Sequence, residues 1–379
     1  MSETREGRAR VEFNAALGRP VRSEPLEDLG TSTLVLLREL VDLGDWAGIG
    51  ELFEYYRRFE INRMLDLFQL WIWESIRWMV VRLGQDAGTA AVADSVRAWT
   101  FRTPEEDLDS RLRKVAAALP VALMSHQPLD DIPRGLVLKL LGRESELVCV
   151  RATGTDQLPA TITGRDSAGV LDGLQRYSVA ARTLHDDMAD CTWALATTVQ
   201  QMLGENMIDE FFRETLGPWT KSRTPNTQLS KMTALDSLRY SVEGMRSHFS
   251  GPLRDGSISV EENDDYYTLV LDPGGTCERM RRGDPLLGTG PRTEPPYNFG
   301  VTEQPHPWSW GKAGVGLYCA HCCVVNEILP MEQLGKPKRI TEYPDDADKP
   351  CRWLIYKDWQ EMPNRYRTRV GLGDTKPTG

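Results

Sequence analysis

The sequence predicts an α+β protein in which a helical bundle followed by a small antiparallel sheet is written twice, as a tandem duplication, the second copy extended by a Cys-rich metal-binding segment. Three observations carry that expectation. Trp99-Thr100-Phe101-Arg102-Thr103-Pro104 returns as Trp219-Thr220-Lys221-Ser222-Arg223-Thr224-Pro225. Gly84 and Gly204 each precede those tryptophans by the same interval, and Asp66 and Asp186 precede each glycine by the same interval. Downstream, Ser125-His126 and Gly154-Thr155 are answered by Ser247-His248 and Gly275-Thr276. A repeat of this length describes a structural unit, so each copy is read for itself.

Residues 1–28 are polar and punctuated by proline, a flexible arm. The first repeat, 29–157, opens with a helix over Thr33–Leu43, broken at Gly44-Asp45. Helices over Glu51–Arg58 and Asn62–Leu83 follow, the latter stopped by Gly84. That last helix carries Phe68, Ile72, Ile76 and Met79 on one face but Trp71, Trp78 and Val81 elsewhere. A helix apolar nearly all round must be covered all round, so it is sandwiched between the copies or in a homodimer through the first repeat. Leu136–Leu141 and Glu146–Arg151 then form a hairpin around Gly142-Arg143.

The second repeat, 158–365, runs parallel. Gly164 matches Gly44, and helices cover Val170–Val179 and His185–Leu203. Leu184, Met188, Cys191, Leu195, Val199 and Met202 recur by threes and fours, one face of a helix. Ser257–Glu261 and Tyr266–Leu271 make its hairpin, the latter rich in β-formers. The Cys-rich segment, 277–357, adds a strand at Val315–Tyr318, a short helix Val324–Leu329 stopped by Pro330 and a strand Trp353–Lys357. Residues 366–379 are a tail.

Composition narrows the function. The 379 residues suffice for two domains with separate cores, and 40% apolar with 26% charged residues is ordinary for a folded soluble chain. A net charge of −10 argues against nucleic acid as partner, and the one basic run noted, Arg279–Arg282, is short. Met1–Pro20 has no apolar stretch of a secretory signal, and Leu65–Leu83 carries Asp66, Glu74, Arg77 and Arg82, which excludes a membrane span. Seven cysteines without a leader place the chain in the cytoplasm.

Cys319 and Cys322 put two sulfurs on one turn, Cys351 precedes a strand and Cys277 follows one. If both strands join one sheet, four thiolates converge as ligands for Zn²⁺, with iron also compatible. His306, His321 and Cys323 compete for the fourth position; the plainer reading is free thiols packed as small apolar residues. Trp308, Trp310 and Tyr318 would line a pocket beside an open site or cover a closed one. His185 stands only in the second copy, where the first has Leu65, and is the candidate general base or metal ligand. Asp186 and His248 have counterparts in the first copy and are assigned to the fold. Arg279 or Arg281 would hold a substrate carboxylate. No Ser–His–Asp order, phosphate loop or dinucleotide fingerprint is present.

From Leu184 to Cys351 the layout, with Gly204-Glu205, Cys277, Cys319, Cys322 and Cys351, resembles two groups. One is the vinyl-reductase-like small-molecule-binding domain of bacterial aromatic sensors, which implies a structural zinc near a ligand pocket. The other is the aminothiazoline-carboxylate hydrolase family, helical with cysteines near the C-terminus. The Cys322-Cys323 doublet and the Gly/Pro-rich stretch 283–311 depart from both. The expectation is a metal-containing enzyme, hydrolase or lyase, acting on a small organic molecule in the second repeat. The alternative is a small-molecule-binding or sensor protein whose zinc is purely structural.

Overall fold

Helix α1 (Thr33–Leu43) stops at Gly44, whose φ of 69° suits glycine, and Asp45 at once starts the next helical arm. The computed structural model describes residues 11–99, 141–223 and 225–373. The Asp45 carboxylate accepts the Gly48 N–H at 3.0 Å, an N-cap for an arm made of α2 (Trp46–Tyr55), a π-helical stretch Tyr56–Ile61 and α3 (Asn62–Leu83). Helix α4 (Gln85–Trp99) turns back from Gly84, and α5 (Glu144–Ala152) follows. Asp166 caps a second arm by the same bond, to the Gly169 N–H at 3.0 Å. That arm is one helix, α6 (Ser167–Leu203), of 37 residues. Both arms end on a glycine in one conformation, Gly84 at φ 82° and ψ 160°, Gly204 at φ 89° and ψ 155°.

Several sequence expectations are corrected here. The two helices expected on each side of Val179–His185 are one, because buried Ala180, Ala181 and Leu184 carry the apolar stripe through the gap. Arg58 and Asn62 are likewise joined, through the π-turn. Glu146–Arg151 is helical, so the first-repeat hairpin does not form there; its partner strand, 136–140, lies outside the described residues, as do Ser125-His126 and the Thr100–Pro104 part of the repeated string. The described part of the arm is not loose. Strands β1 (Val11–Asn14) and β2 (Arg19–Arg22) pair antiparallel, and Arg19 binds Glu243 at 2.6 Å.

The second hairpin forms as expected. After α7 (Ile208–Thr215) and α8 (Ala234–Ser247), β3 (Ser259–Glu262) and β4 (Tyr266–Leu271) pair, with the Asn263 side chain accepting the Asp265 and Tyr266 N–H groups in the turn. Helix α9 (Cys277–Arg282) follows, then α10 (Leu317–Cys323), a π-helical stretch Val324–Ile328 and a last turn Leu329–Leu334. Val315–Tyr318 is therefore not a strand. Pro330 does not stop the helix, because it sits in the first turn of its last segment, where no N–H is needed. Strands β5 (Ile340–Glu342) and β6 (Cys351–Tyr356) complete an antiparallel sheet of order β3-β4-β6-β5. Its register sets Cys351 opposite Leu271, so Cys351 and Cys277 share one end of the sheet. The expected tail holds buried Tyr366 and Val370.

Buried side chains from Leu29 to Val370 form one contiguous core, so the halves do not keep separate cores. Helix α3 is sandwiched within the chain by α4, α6 and α7. Trp71 and Trp78 are 2% and 7% exposed without any second subunit. Helix α6 is the axis of this core. Trp193 on it is fully buried, donates Nε1–H to the Gly300 carbonyl at 2.7 Å and lies against Gly316, where a Cβ would come within 2.7 Å of the ring. Trp193→Ala is expected to lower unfolding free energy by about 3–5 kcal/mol in urea denaturation, whereas Val81→Ala, at 73% exposure, should change it by less than about 0.5 kcal/mol.

Candidate functional site

Helix α8 is held at its start by a capping box between Thr233 and Asp236, and it delivers His248 at its end. Gly275 fixes the chain there: a Cβ on it would lie 1.5 Å from the His248 carbonyl oxygen. Arg254 adds a hydrogen bond from Nε to the Phe249 carbonyl at 2.8 Å. His248 faces a cavity of about 130 Å³ enclosed by α3, α8, α9, α10 and β6. Phe68, Trp71, Tyr318 and Val325 supply apolar walls; His248, His321, Cys277, Cys322, Lys338 and Arg339 supply the polar groups. The π-helical stretch after α10 explains one wall. His321 and Cys322, then Val325 and Asn326, line the cavity from one face, at spacings of three and four residues.

Behind His248 lies a buried chain of three groups. Asp186 Oδ1 is 2.8 Å from His185 Nδ1, and His185 Nε2 is 3.0 Å from His248 Nδ1. Asp186 is ionised: burial alone would raise its pKa, but Arg279 and Arg254 outweigh it and hold the carboxylate far below its ordinary range. A carboxylate only accepts, so the proton sits on His185 Nδ1; His185 Nε2 then accepts, and His248 Nδ1 donates. The lone pair of His248 therefore sits on Nε2, which makes no hydrogen bond among the described residues. Burial pushes both imidazoles below 6.5, His248 the further because His185, His321 and Arg339 surround it. Phe68 meets both rings edge-on, at 5.4 and 5.6 Å.

His185, the base expected from sequence, is thus fully buried with both nitrogens engaged and does not reach the cavity. It positions His248. His248, assigned to the fold through its counterpart His126 in the first copy, is instead the histidine of the pair that lines the cavity.

The expected metal ligands gather in part. Cys277 lies in hydrogen-bonding range of Cys319 and Cys322, whose contacts push its thiol up. The Cys277 contact, with His321, holds the Cys322 thiol well below its usual range. His321 Nε2 is 3.5 Å from the Cys322 sulfur. Cys351 is buried, close to Glu278 and Cys319, and its N–H donates to Glu278 Oε1 at 2.7 Å. Among the described residues no group of three or more His, Cys, Asp or Glu is set to hold a metal ion. Cys323 turns away, its sulfur 3.4 Å from the Pro307 carbonyl, and His306 binds Glu205. All seven cysteines are free.

The expected substrate-binding residues lie off the cavity. Arg279 is spent on Asp190 at 2.9 Å and Asp186 at 3.5 Å, and Arg281 donates to the carbonyls of Ala347 and Lys349. Trp308 stacks on His306 at 4.4 Å; Trp310 stacks on Tyr343 and donates to Glu327 at 2.9 Å. Each fills the core around the segment.

The two depressed imidazoles set a pH dependence. Unfolded histidine titrates near 6.5 and these titrate lower when folded, so below pH 6.5 the unfolded chain binds more protons and stability falls. The loss is expected to reach about 1.4 kcal/mol per pH unit for each imidazole. Urea denaturation between pH 7.5 and 5.5, run on the wild type and His248→Phe, checks it: equal slopes for the two proteins would contradict it.

No family model, no curated protein and no solved structure matches this chain, and among its described residues no helix is long and apolar enough to cross a membrane.

Proposed function

We propose that the chain is an enzyme of hydrolase or lyase type acting on a small organic molecule bound in this cavity, with His248 as the residue that takes and returns the proton. The observation that carries the reading is the chain Asp186–His185–His248, whose hydrogen bonds leave one unshared basic nitrogen at the cavity wall. Building such a relay in the interior costs desolvation of a carboxylate, and packing alone gives no reason for it. In a hydrolase the base would accept a proton from attacking water; in a lyase, from carbon beside an electron-withdrawing group. His185 holds the ring and its tautomer, and Asp186 holds His185. The matched caps and ends of the two arms support a tandem duplication, with the relay histidine His185 confined to the second copy.

Turnover should be sought by NMR with small cyclic and unsaturated amides, esters and hydroxy compounds. Against a substrate found this way, His248→Gln is expected to lower kcat by about 10²–10⁴-fold with circular dichroism unchanged. His185→Gln should lower kcat and shift the pH profile while leaving KM in place. Full turnover by folded His248→Gln would refute the reading.

One observation favours a second reading, a binding protein cross-linked by structural zinc: Cys277, Cys319 and Cys322 lie within reach of one another where three segments meet, with Cys351 at the margin. Close to one zinc per purified chain, lost together with the fold in Cys319→Ser, would support it. Metal-free protein that folds and turns over would remove it.

A further inference from the structure

The run Lys336-Pro337-Lys338-Arg339 enters β5 along the cavity, and it delivers two cations there that no carboxylate of the described residues meets. Arg339 is 8% exposed, its guanidinium lies over the Trp353 ring at 3.5 Å, and its Nε–H has no hydrogen-bond partner. The Cys322 sulfur is its polar neighbour. Lys338 is half-buried on the same wall, and among the described residues it forms no ion pair. The carboxylates that line the cavity are matched elsewhere. Glu243 is held by Arg19 at 2.6 Å and Arg63 at 2.9 Å, and Glu278 by the Cys351 N–H and by Arg281 at 3.8 Å. Trp71 adds a second buried donor, its Nε1–H, without a partner.

Orphaned buried donors, a lysine without an ion pair among the described residues and an arginine met by the Cys322 sulfur rather than by a carboxylate are the complement of an acceptor that carries negative charge. We propose that the cavity takes an organic carboxylate with a small, flat, apolar body, its charged end received by Arg339 and Lys338. This rests on reading the cavity as the substrate site, and it names the class of molecule that fits there.

The body is set by the walls and by the space. Phe68, Trp71 and Tyr318 present rings, and about 130 Å³ is close to the roughly 150 Å³ that admits benzene in an apolar cavity. The guanidinium offers the planar fork that suits a carboxylate, and the ammonium adds a point charge. A smaller space of about 20 Å³ shares Tyr240, Ser241 and Lys338 with the cavity and adds Lys336. Lys336, Lys338 and Arg339 thus line a graded positive approach.

Isothermal titration calorimetry of the full chain with benzoate, neutral benzamide and inorganic phosphate tests the assignment. Benzoate is expected to bind at least about tenfold more tightly than benzamide, and its affinity should fall by about tenfold or more in Lys338→Gln and in Arg339→Gln. If Arg339→Gln fails to fold, Lys338→Gln decides. Binding is read here without turnover, so a failure of the catalytic reading remains separate from a failure of this one. Benzamide binding as tightly as benzoate, phosphate binding without benzoate, or a Lys338→Gln chain with unchanged benzoate affinity would each overturn the proposal.

Discussion

The buried carboxylate of Asp186 joins three parts of the chain. Its Oδ1 accepts from His185 on α6 and from Arg254 in the turn after α8 at 2.6 Å, and Arg279 on α9 approaches it at 3.5 Å. Arg254 also binds Asp284, and Arg279 also binds Asp190, so each guanidinium is shared between two carboxylates. A buried ion pair as a whole adds little net stability, but loss of one member leaves an uncompensated charge and costs about 3–5 kcal/mol. What this cluster secures is alignment. It fixes the tautomer of His185, the ring of His248 and the start of α9, which carries Cys277.

Elements whose information is local were legible in the sequence. Thr33–Leu43, the stops at Gly84 and Gly204, and the strands Tyr266–Leu271 and Cys351–Tyr356 rest on caps, glycine and β-branched or aromatic runs read a few residues at a time. The joins were not legible. The break expected between Arg58 and Asn62 is bridged by a π-turn over Tyr56–Ile61, because Tyr56, Glu60 and Ile61 are buried by packing from elsewhere. Glu146–Arg151 holds the apolar run Leu147-Val148-Cys149-Val150, which suits a strand, but it lies along α6 and is helical there. Tertiary contact overrides short patterns in this way.

At the site, comparison of the two copies pointed to residues that the structure places at or behind the cavity, and passed over His248, which lines it. Cys277, Cys322 and His185 do belong to the cavity or stand behind it. Sorting by presence in one copy failed for His248, since a residue can be duplicated in sequence and still be used in one place only. It failed for Arg279 and Arg281 because charge on a helix says nothing of which carboxylate or carbonyl will meet it. Lys338 and Arg339 form a legible basic run beside a proline, but that no ion pair meets them among the described residues is a property of packing alone.

The relay and the cation pair act on each other. Arg339 is among the charges that depress His248, after burial, His185 and His321. In the empty cavity the base is therefore held weak, and a weak base spends little time as an imidazolium in a desolvated wall. A carboxylate seated on Arg339 and Lys338 offsets that positive field at short range in a low-dielectric space, and the basicity of His248 rises. Under the proposed function, proton abstraction would be strongest with that carboxylate in place. Apolar walls strengthen the coupling, because water that would screen the two charges is displaced by the ligand's own body. Under the proposed function one arrangement of charges would serve both binding and timing, with Asp186 aligning the histidine side of it.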